Sequence, residues 1–567
     1  MTHLDRRDFV RASALMAYAA FGIRRPPWAF RNAWVGGFPA ADLVLRNAVL
    51  YDGTGAAPFE ADVAITRDRI SAVGPRLAAP GAGEVDLKGL ALAPGFIDVH
   101  SHTDLELLID PAAESKVRQG VTTEVTGQDG GSIGPWTTER AESTRERYQA
   151  RYGVEISLRQ LTGFFRQLER RGAAVNLSSM VGHGTVRGYV VGNEDRPATP
   201  DELSRMQGEV TAAIKAGACG LSSGLEYLPG AFADLQELVA LAAVLRGTGL
   251  PYASHMRNED DQLFAAVEEA INVGRLAGVP VQISHLKAQG QRNWWKAQLV
   301  LDALEAARAD GVDVTYDRYP YVAYSTGLDS LFPVWSREGG TDALLERLDN
   351  PDHAGRIEEA VRGKIALLGS WDAVQITSTA SEDLHWARGR RLGELAAERG
   401  REPYALLVQL VTEDRNRSGM VGFGMSEENT ARFLAHPLGM VCSDGSALDV
   451  EGPLAAGTPH PRNYGTFPRV LGHYCRDAQV MPLETGIHKM TGMPAARLRL
   501  DGRGVIAPGA FADLVAFDPD GIADRATFEH PHQYPVGIVH VMVNGEFVLT
   551  HGERTDELPG RILRPTA

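Results

Sequence analysis

Short apolar runs cluster at both ends of this chain, and a long middle of alternating texture separates them. Leu43-Val44-Leu45 and Ala48-Val49-Leu50-Tyr51 precede Asp52-Gly53, and Val63-Ala64-Ile65 and Ile70-Ser71-Ala72-Val73 flank a polar turn. Runs of this length bounded by turn residues predict strands. Near the other end Ala512-Asp513-Leu514-Val515-Ala516-Phe517 predicts another strand. Val541-Met542-Val543 and Phe547-Val548-Leu549 flank Asn544-Gly545, a hairpin signal because both central residues tolerate positive φ. Residues 42–90 and 501–567 are therefore expected to form one small β-sandwich domain assembled from both termini.

The middle alternates helix and strand. Thr199-Pro200-Asp201-Glu202 combines a capping box with proline at the first helical position, and predicts a helix to about Ala216. Cys219 to Leu225 follows as a strand. Asp234 with Glu237 caps a helix that stops near Arg246-Gly247, and the next strand ends at His255. A helix over about 261–277 stops at Gly278, and Val279 to Ser284 lead into His285. A helix over about 294–310 stops at Gly311, before a strand from Val312 to Tyr316. Strand and helix recur at roughly 30-residue intervals, the βαβ rhythm of a parallel sheet. The expected fold class is α/β: a (β/α)8 TIM-like barrel over 91–500, with an insertion rich in charged helical sequence at about 330–430.

Composition narrows the function classes. The chain has 567 residues, 44% hydrophobic and 23% charged, which is soluble globular composition. Its formal net charge of −15 argues against nucleic acid or an acidic membrane surface as partner. The cysteines Cys219, Cys442 and Cys475 have no short spacing, so they suggest buried thiols rather than disulfides or a cysteine zinc site. Arg6-Arg7 ahead of the apolar run Ala12 to Gly22 resembles a twin-arginine export signal. Residues 1–41 are therefore expected to be signal and linker, with a periplasmic or secreted mature protein and no stable membrane insertion.

Polar residues stand just past the ends of apolar strands. The run Ala91 to Val99 ends in His100-Ser101-His102; His255 and His285 each close a strand; Gly439-Met440-Val441-Cys442 leads to Asp444. In a parallel barrel all strand C-termini open on one face. Four histidines and an aspartate should therefore converge there. Histidine with carboxylate suits zinc, with an open position for water, and a neighbouring carboxylate can shuttle protons to a leaving amine. His183, in Val181-Gly182-His183-Gly184, sits near another strand end and is a candidate to approach a scissile carbonyl oxygen.

Gly95-Phe96-Ile97-Asp98-Val99-His100-Ser101-His102 resembles the opening motif of the amidohydrolase superfamily. More narrowly, the chain is similar to the D-aminoacylases, the N-acyl-D-amino-acid deacylases. The matching segments are Gln119 to Val125, Gly220 to Leu225, Ser254-His255-Met256-Arg257, Ser284-His285-Leu286-Lys287, Ser443-Asp444-Gly445, His460-Pro461-Arg462, Ala523 to Phe528 and His532 to Pro535. The resemblance implies metal ligation by His255 and His285, and base and acid roles for Asp444. It also implies that Lys287, Tyr319, Ser325 and Arg462 surround a substrate carboxylate. Arginine's planar fork and lysine's point charge suit that task.

One departure from the family matters. Better-known members carry a cysteine ligand in an Asn-Cys-Gly context, where this chain has Gln128-Asp129-Gly130. Asp129 and Glu226 are the two candidate replacements, with Glu124 a weaker third. No lysine ends the 219–225 strand, so a carbamate bridge there is not expected. A bridging carboxylate would favour two divalent ions, the second on His100 and His102, and hard oxygen widens the choice of metal beyond zinc. The resulting expectation is hydrolysis of a small N-acyl amino acid. The alternatives are a cyclic-amide hydrolase of dihydroorotase or hydantoinase type, and a non-catalytic exported binding protein.

Overall fold

The structure is a computed structural model and describes residues 41–565. The twin-arginine segment lies outside the described residues. Nine strands from both ends of the chain form one sheet. The N-terminal side supplies Leu43–Leu50, Phe59–Thr66, Arg69–Gly74, Gly83–Asp86 and Ala91–Pro94; the C-terminal side supplies Leu514–Phe517, Ile538–Val543, Glu546–Thr550 and Glu553–Arg554. Asn544 and Gly545 turn the hairpin at φ 49° and 87°. A Cβ on Gly545 would lie 2.1 Å from the Arg67 carbonyl oxygen, so this turn needs glycine twice over. Alternate residues serve two cores. Ala91, Ala93, Val515 and Phe517 pack towards the barrel, while Leu92, Leu514 and Ala516 join the sheet's own cluster with Val63 and Ile65.

The apolar run 91–99 is two strands rather than the single barrel strand expected. Ala91–Pro94 pairs antiparallel with Leu514–Phe517 in the terminal sheet, and Phe96–Asp98 pairs parallel with Val121–Thr126. The chain changes sheet at Gly95, where a Cβ would meet the Thr122 side chain at 2.2 Å. The other barrel strands are Asn176–Ser179 (continued by Val181–Gly182), Leu221–Gly224, Tyr252–His255, Val281–Ile283, Val314–Arg318 and Gly439–Val441. All pair in parallel. Amides of Asp444 and His102 donate to the His100 and Gly445 carbonyls, each at 2.9 Å, and join the last strand to the first.

Helices clothe the barrel by the pattern their sequences carry. Pro200–Ala216 has both halves of its capping box and ends at Gly217 in the left-handed region, burying Met206, Val210 and Ala213 on one stripe. Between the last two barrel strands the chain leaves the barrel. This excursion contains the expected helices, among them Pro351–Leu368 and Pro403–Glu413. It also contains an antiparallel sheet of Ala323–Gly327, Gly419–Phe423 and Val374–Ser378, with Gly419–Phe423 in the middle. All three cysteines are buried and free. No helix among the described residues is long and apolar enough to cross a membrane.

Candidate metal centre

The barrel brings its strand ends together around one carboxylate. Asp129 follows the second strand at φ 52°, held there because the Gly130 amide donates to Ser222 Oγ at 3.1 Å. Its Oδ1 lies 3.4 Å from His100 Nε2. Its Oδ2 lies 3.4 Å from His102 Nε2, 3.5 Å from His255 Nδ1 and 3.4 Å from His285 Nε2. His100 Nε2 and His255 Nδ1, the nitrogens that face Asp129, are buried with no hydrogen-bond partner, as is Asp129 Oδ1. Buried polar atoms are otherwise almost always paired. Donors about 2.1 Å from a tetrahedral ion stand about 3.4 Å apart, so the spacing is that of ligands around a metal. His100, Asp129, His285 and Asp444 offer donors within 4.8 Å of one another, and so do His255, Glu259 and His285.

The two carboxylates that sequence left open stand differently. Asp129 reaches all four histidines. Glu226, which also lines the cavity, brings Oε2 within 3.5 Å of one, at His255 Nε2. Glu124 is also corrected: it is buried below the site, against Ser101, Thr103 and Lys116. Two more outer carboxylates went unnoticed in the sequence. Asp317 stands 3.3 Å from His100 Nδ1 and accepts from the His285 amide and Gln282; Glu259 stands 3.1 Å from His285 Nδ1. Such partners fix ring orientation and raise ligand basicity.

Asp444 lies beside this cluster at φ 51°. Its Oδ1 is 3.0 Å from His102 Nε2, and its Oδ2 accepts from Arg462 Nη1 at 2.6 Å. Burial opposes its charge, but Arg462 and His285 outweigh burial and hold the carboxyl below the usual carboxylate range. Burial likewise opposes Asp129, and His100 and His285 outweigh it. A cavity of about 340 Å³ opens over the centre, and Lys287, Tyr319, Ser325 and Arg462 all line it, with His102, His255 and His285. Lys287 Nζ donates to Glu259 at 2.5 Å and stands 2.7 Å from His285 Nδ1. The Tyr319 hydroxyl and Arg462 Nε are buried without partners. His183 is not brought in: its Nε2 meets Glu237 at 2.7 Å, beside Arg187, and it lines none of the cleft. A helix starts at His183, and its first turn carries the ring into the barrel wall.

A histidine–carboxylate centre at the C-terminal mouth of an eight-stranded barrel defines a metal-dependent hydrolase class. The chain matches the amidohydrolase family over residues 83–409 and 439–549, and it belongs to that family. Within it the chain stands among the D-aminoacylases. It is 38% identical to a D-aminoacylase of Alcaligenes xylosoxydans xylosoxydans over 526 residues, 93% of this chain and 98% of the relative. It is also similar to the crystal structure of N-acyl-D-glutamate deacylase from Bordetella bronchiseptica, complexed with zinc and a phosphonate mimic of the tetrahedral intermediate. That match has 33% identity and a TM-score of 0.78, covering 93% of this chain and 100% of the other. A solved D-aminoacylase described by its binuclear metal centre matches at 37% identity and a TM-score of 0.78, covering 92% of this chain and 100% of that one.

Proposed function

We propose that this chain hydrolyses the amide bond of N-acyl-D-amino acids, releasing a carboxylic acid and a free amino acid. The observation that carries the reading is the convergence of four histidines on Asp129, beside an Asp444–Arg462 pair in a cavity lined with carboxylate-binding groups. The D preference is supported by the relatives named above. His255, His285 and Asp129 would hold one zinc or similar divalent ion, and His100 and His102, with Asp129 and Asp444, a second. A bound ion polarises the acyl carbonyl and makes water acidic enough to ionise near neutral pH.

The chain's own residues do the rest. Asp444, kept ionised by Arg462, takes a proton from the attacking water and returns it to the leaving nitrogen. Arg462 keeps Nη1 on Asp444 and has Nε free for the substrate carboxylate, while Lys287, Tyr319 and Ser325 supply further donors. The test is release of free amino acid from a panel of N-acetyl-D- and N-acetyl-L-amino acids by zinc-loaded protein. Turnover confined to D substrates is expected. Ring opening of a dihydropyrimidine with no release from either panel would replace this reading with a cyclic-amide hydrolase. Export through the twin-arginine route, to the periplasm or medium, is proposed from Arg6-Arg7 and the apolar run behind it. Cell fractionation of an Arg6→Lys/Arg7→Lys variant tests it, with cytoplasmic retention the expected result.

A further inference from the structure

A second cavity adjoins the metal centre. Asp129 and Tyr227 line the main cavity and also a second lobe of about 480 Å³. Gly131, Gly188 and Gly230 contribute to its walls, with Arg140, Tyr189 and Asn193. Arg140 and Asn193 are exposed, so they mark the outer end, and Asp129 at the inner end is the one carboxylate on the described wall. The Arg140 guanidinium lies 5.1 Å from the Trp136 ring. Among the described residues it makes no ion pair or side-chain hydrogen bond, and the charges of Arg147 and Asp104 act on it only through space.

Reaction geometry says which half of a substrate enters this lobe. Asp444 must reach the leaving nitrogen, and Asp444 and Arg462 line the main cavity and a third lobe, but not the second. The amino-acid half therefore lies on the Asp444 side. A planar trans amide sends the acyl group the other way, past Asp129 and Tyr227. Cavities of about 300–1,000 Å³ hold drug-sized ligands, so the lobe far exceeds an acetyl methyl. Its open cation is wasted on an aliphatic tail.

We propose that this lobe is an acyl-group subsite in which Arg140 binds an anionic tail, making monoamides of dicarboxylic acids the preferred substrates. The inference rests on the deacylase reading. The test compares N-acetyl, N-butyryl, N-succinyl and N-glutaryl derivatives of whichever D-amino acid the N-acetyl panel favours. The wild type should favour N-succinyl or N-glutaryl over N-butyryl in kcat/KM. Arg140→Gln should cut kcat/KM for these diacid derivatives by about tenfold or more, the worth of a charge-assisted contact, and leave N-acetyl and N-butyryl unchanged. Gly188→Leu offers a second probe, because a Cβ there meets nothing nearer than Pro229 at 3.7 Å and the side chain would fill the lobe. It should depress every acyl group longer than acetyl. No diacid preference in the wild type, or an equal loss on all four substrates in Arg140→Gln, would overturn the subsite and leave the deacylase reading intact. Failure to cleave any N-acetyl-D-amino acid would bring down the deacylase reading itself, and the subsite with it.

Discussion

Asp129 stands where related enzymes place a thiolate, and exchanging sulfur for oxygen changes the chemistry of the whole centre. A carboxylate has two donor oxygens, and here they face different histidines: Oδ1 faces His100, and Oδ2 faces His102, His255 and His285. Removing it should empty the site. Asp129→Ala is expected to lose most bound metal, whereas Glu226→Ala should keep it, since Glu226 approaches only one of the four rings, at His255 Nε2. Metal content per chain decides this, and equal loss in both variants would contradict the geometry. Asp444→Asn removes the base but not the histidines. It should lower kcat by about 10²-fold or more with the ion on His255, His285 and Asp129 retained; undiminished turnover would show that the proton goes elsewhere. Arg462→Ala should raise KM for carboxylate substrates, and should lower kcat too because Asp444 loses its partner.

At the scale of elements, the terminal sheet and the barrel share a boundary one residue wide. Gly95→Ala places a Cβ against Thr122, so a destabilisation of about 1–3 kcal/mol is expected from overpacking. Thr122→Ala in the same chain should recover part of it. Denaturant midpoints of the two single variants and the double variant give the coupling, and strict additivity would exclude the clash. The terminal sheet also carries an acid-sensitive group. Burial, helped by His551, depresses His540 to about 4. The unfolded chain takes up this proton below about 6.5, while the fold refuses it until about 4. Stability is therefore lost as pH falls through that window, and His540 costs nothing above it. A His540→Phe variant should show a smaller fall in Tm between pH 7 and pH 4 than the parent.

Across the whole molecule, the site is a meeting of distant segments. His102 after the first strand and Asp444 after the last stand 3.0 Å apart at the barrel's closing seam, and Ser325 arrives from the inserted sheet. A metal that binds only this assembly stabilises it by mass action, about 2.7 kcal/mol when free metal is a hundred times its Kd. Chelation should therefore lower Tm, and zinc should restore it. An unchanged Tm with confirmed metal loss would mean the buried histidines are content without an ion.

Local pattern alone determined the helix starts, the Asn544-Gly545 hairpin, the βαβ rhythm and the placing of His100, His102, His255, His285 and Asp444 at strand ends. These follow from periodicity, capping chemistry and turn stereochemistry, which act over a few residues. Where the 91–99 run divides was not legible, because both halves are equally apolar and only the approach of Thr122 marks Gly95 as the hinge. The insertion's sheet stayed hidden because its strands lie far apart in sequence. Asp129 and Glu226 looked equivalent, each a carboxylate just past a strand, and His183 near a strand end looked placed to approach the scissile carbonyl oxygen. Asp317 and Glu259 carried no signal beyond being acidic. Which of these side chains turns into the mouth of the barrel, and which turns into its wall, depends on distances across the barrel between residues over a hundred positions apart. Only closure of the eight strands sets those distances, and that closure makes Asp129 the hub of the centre.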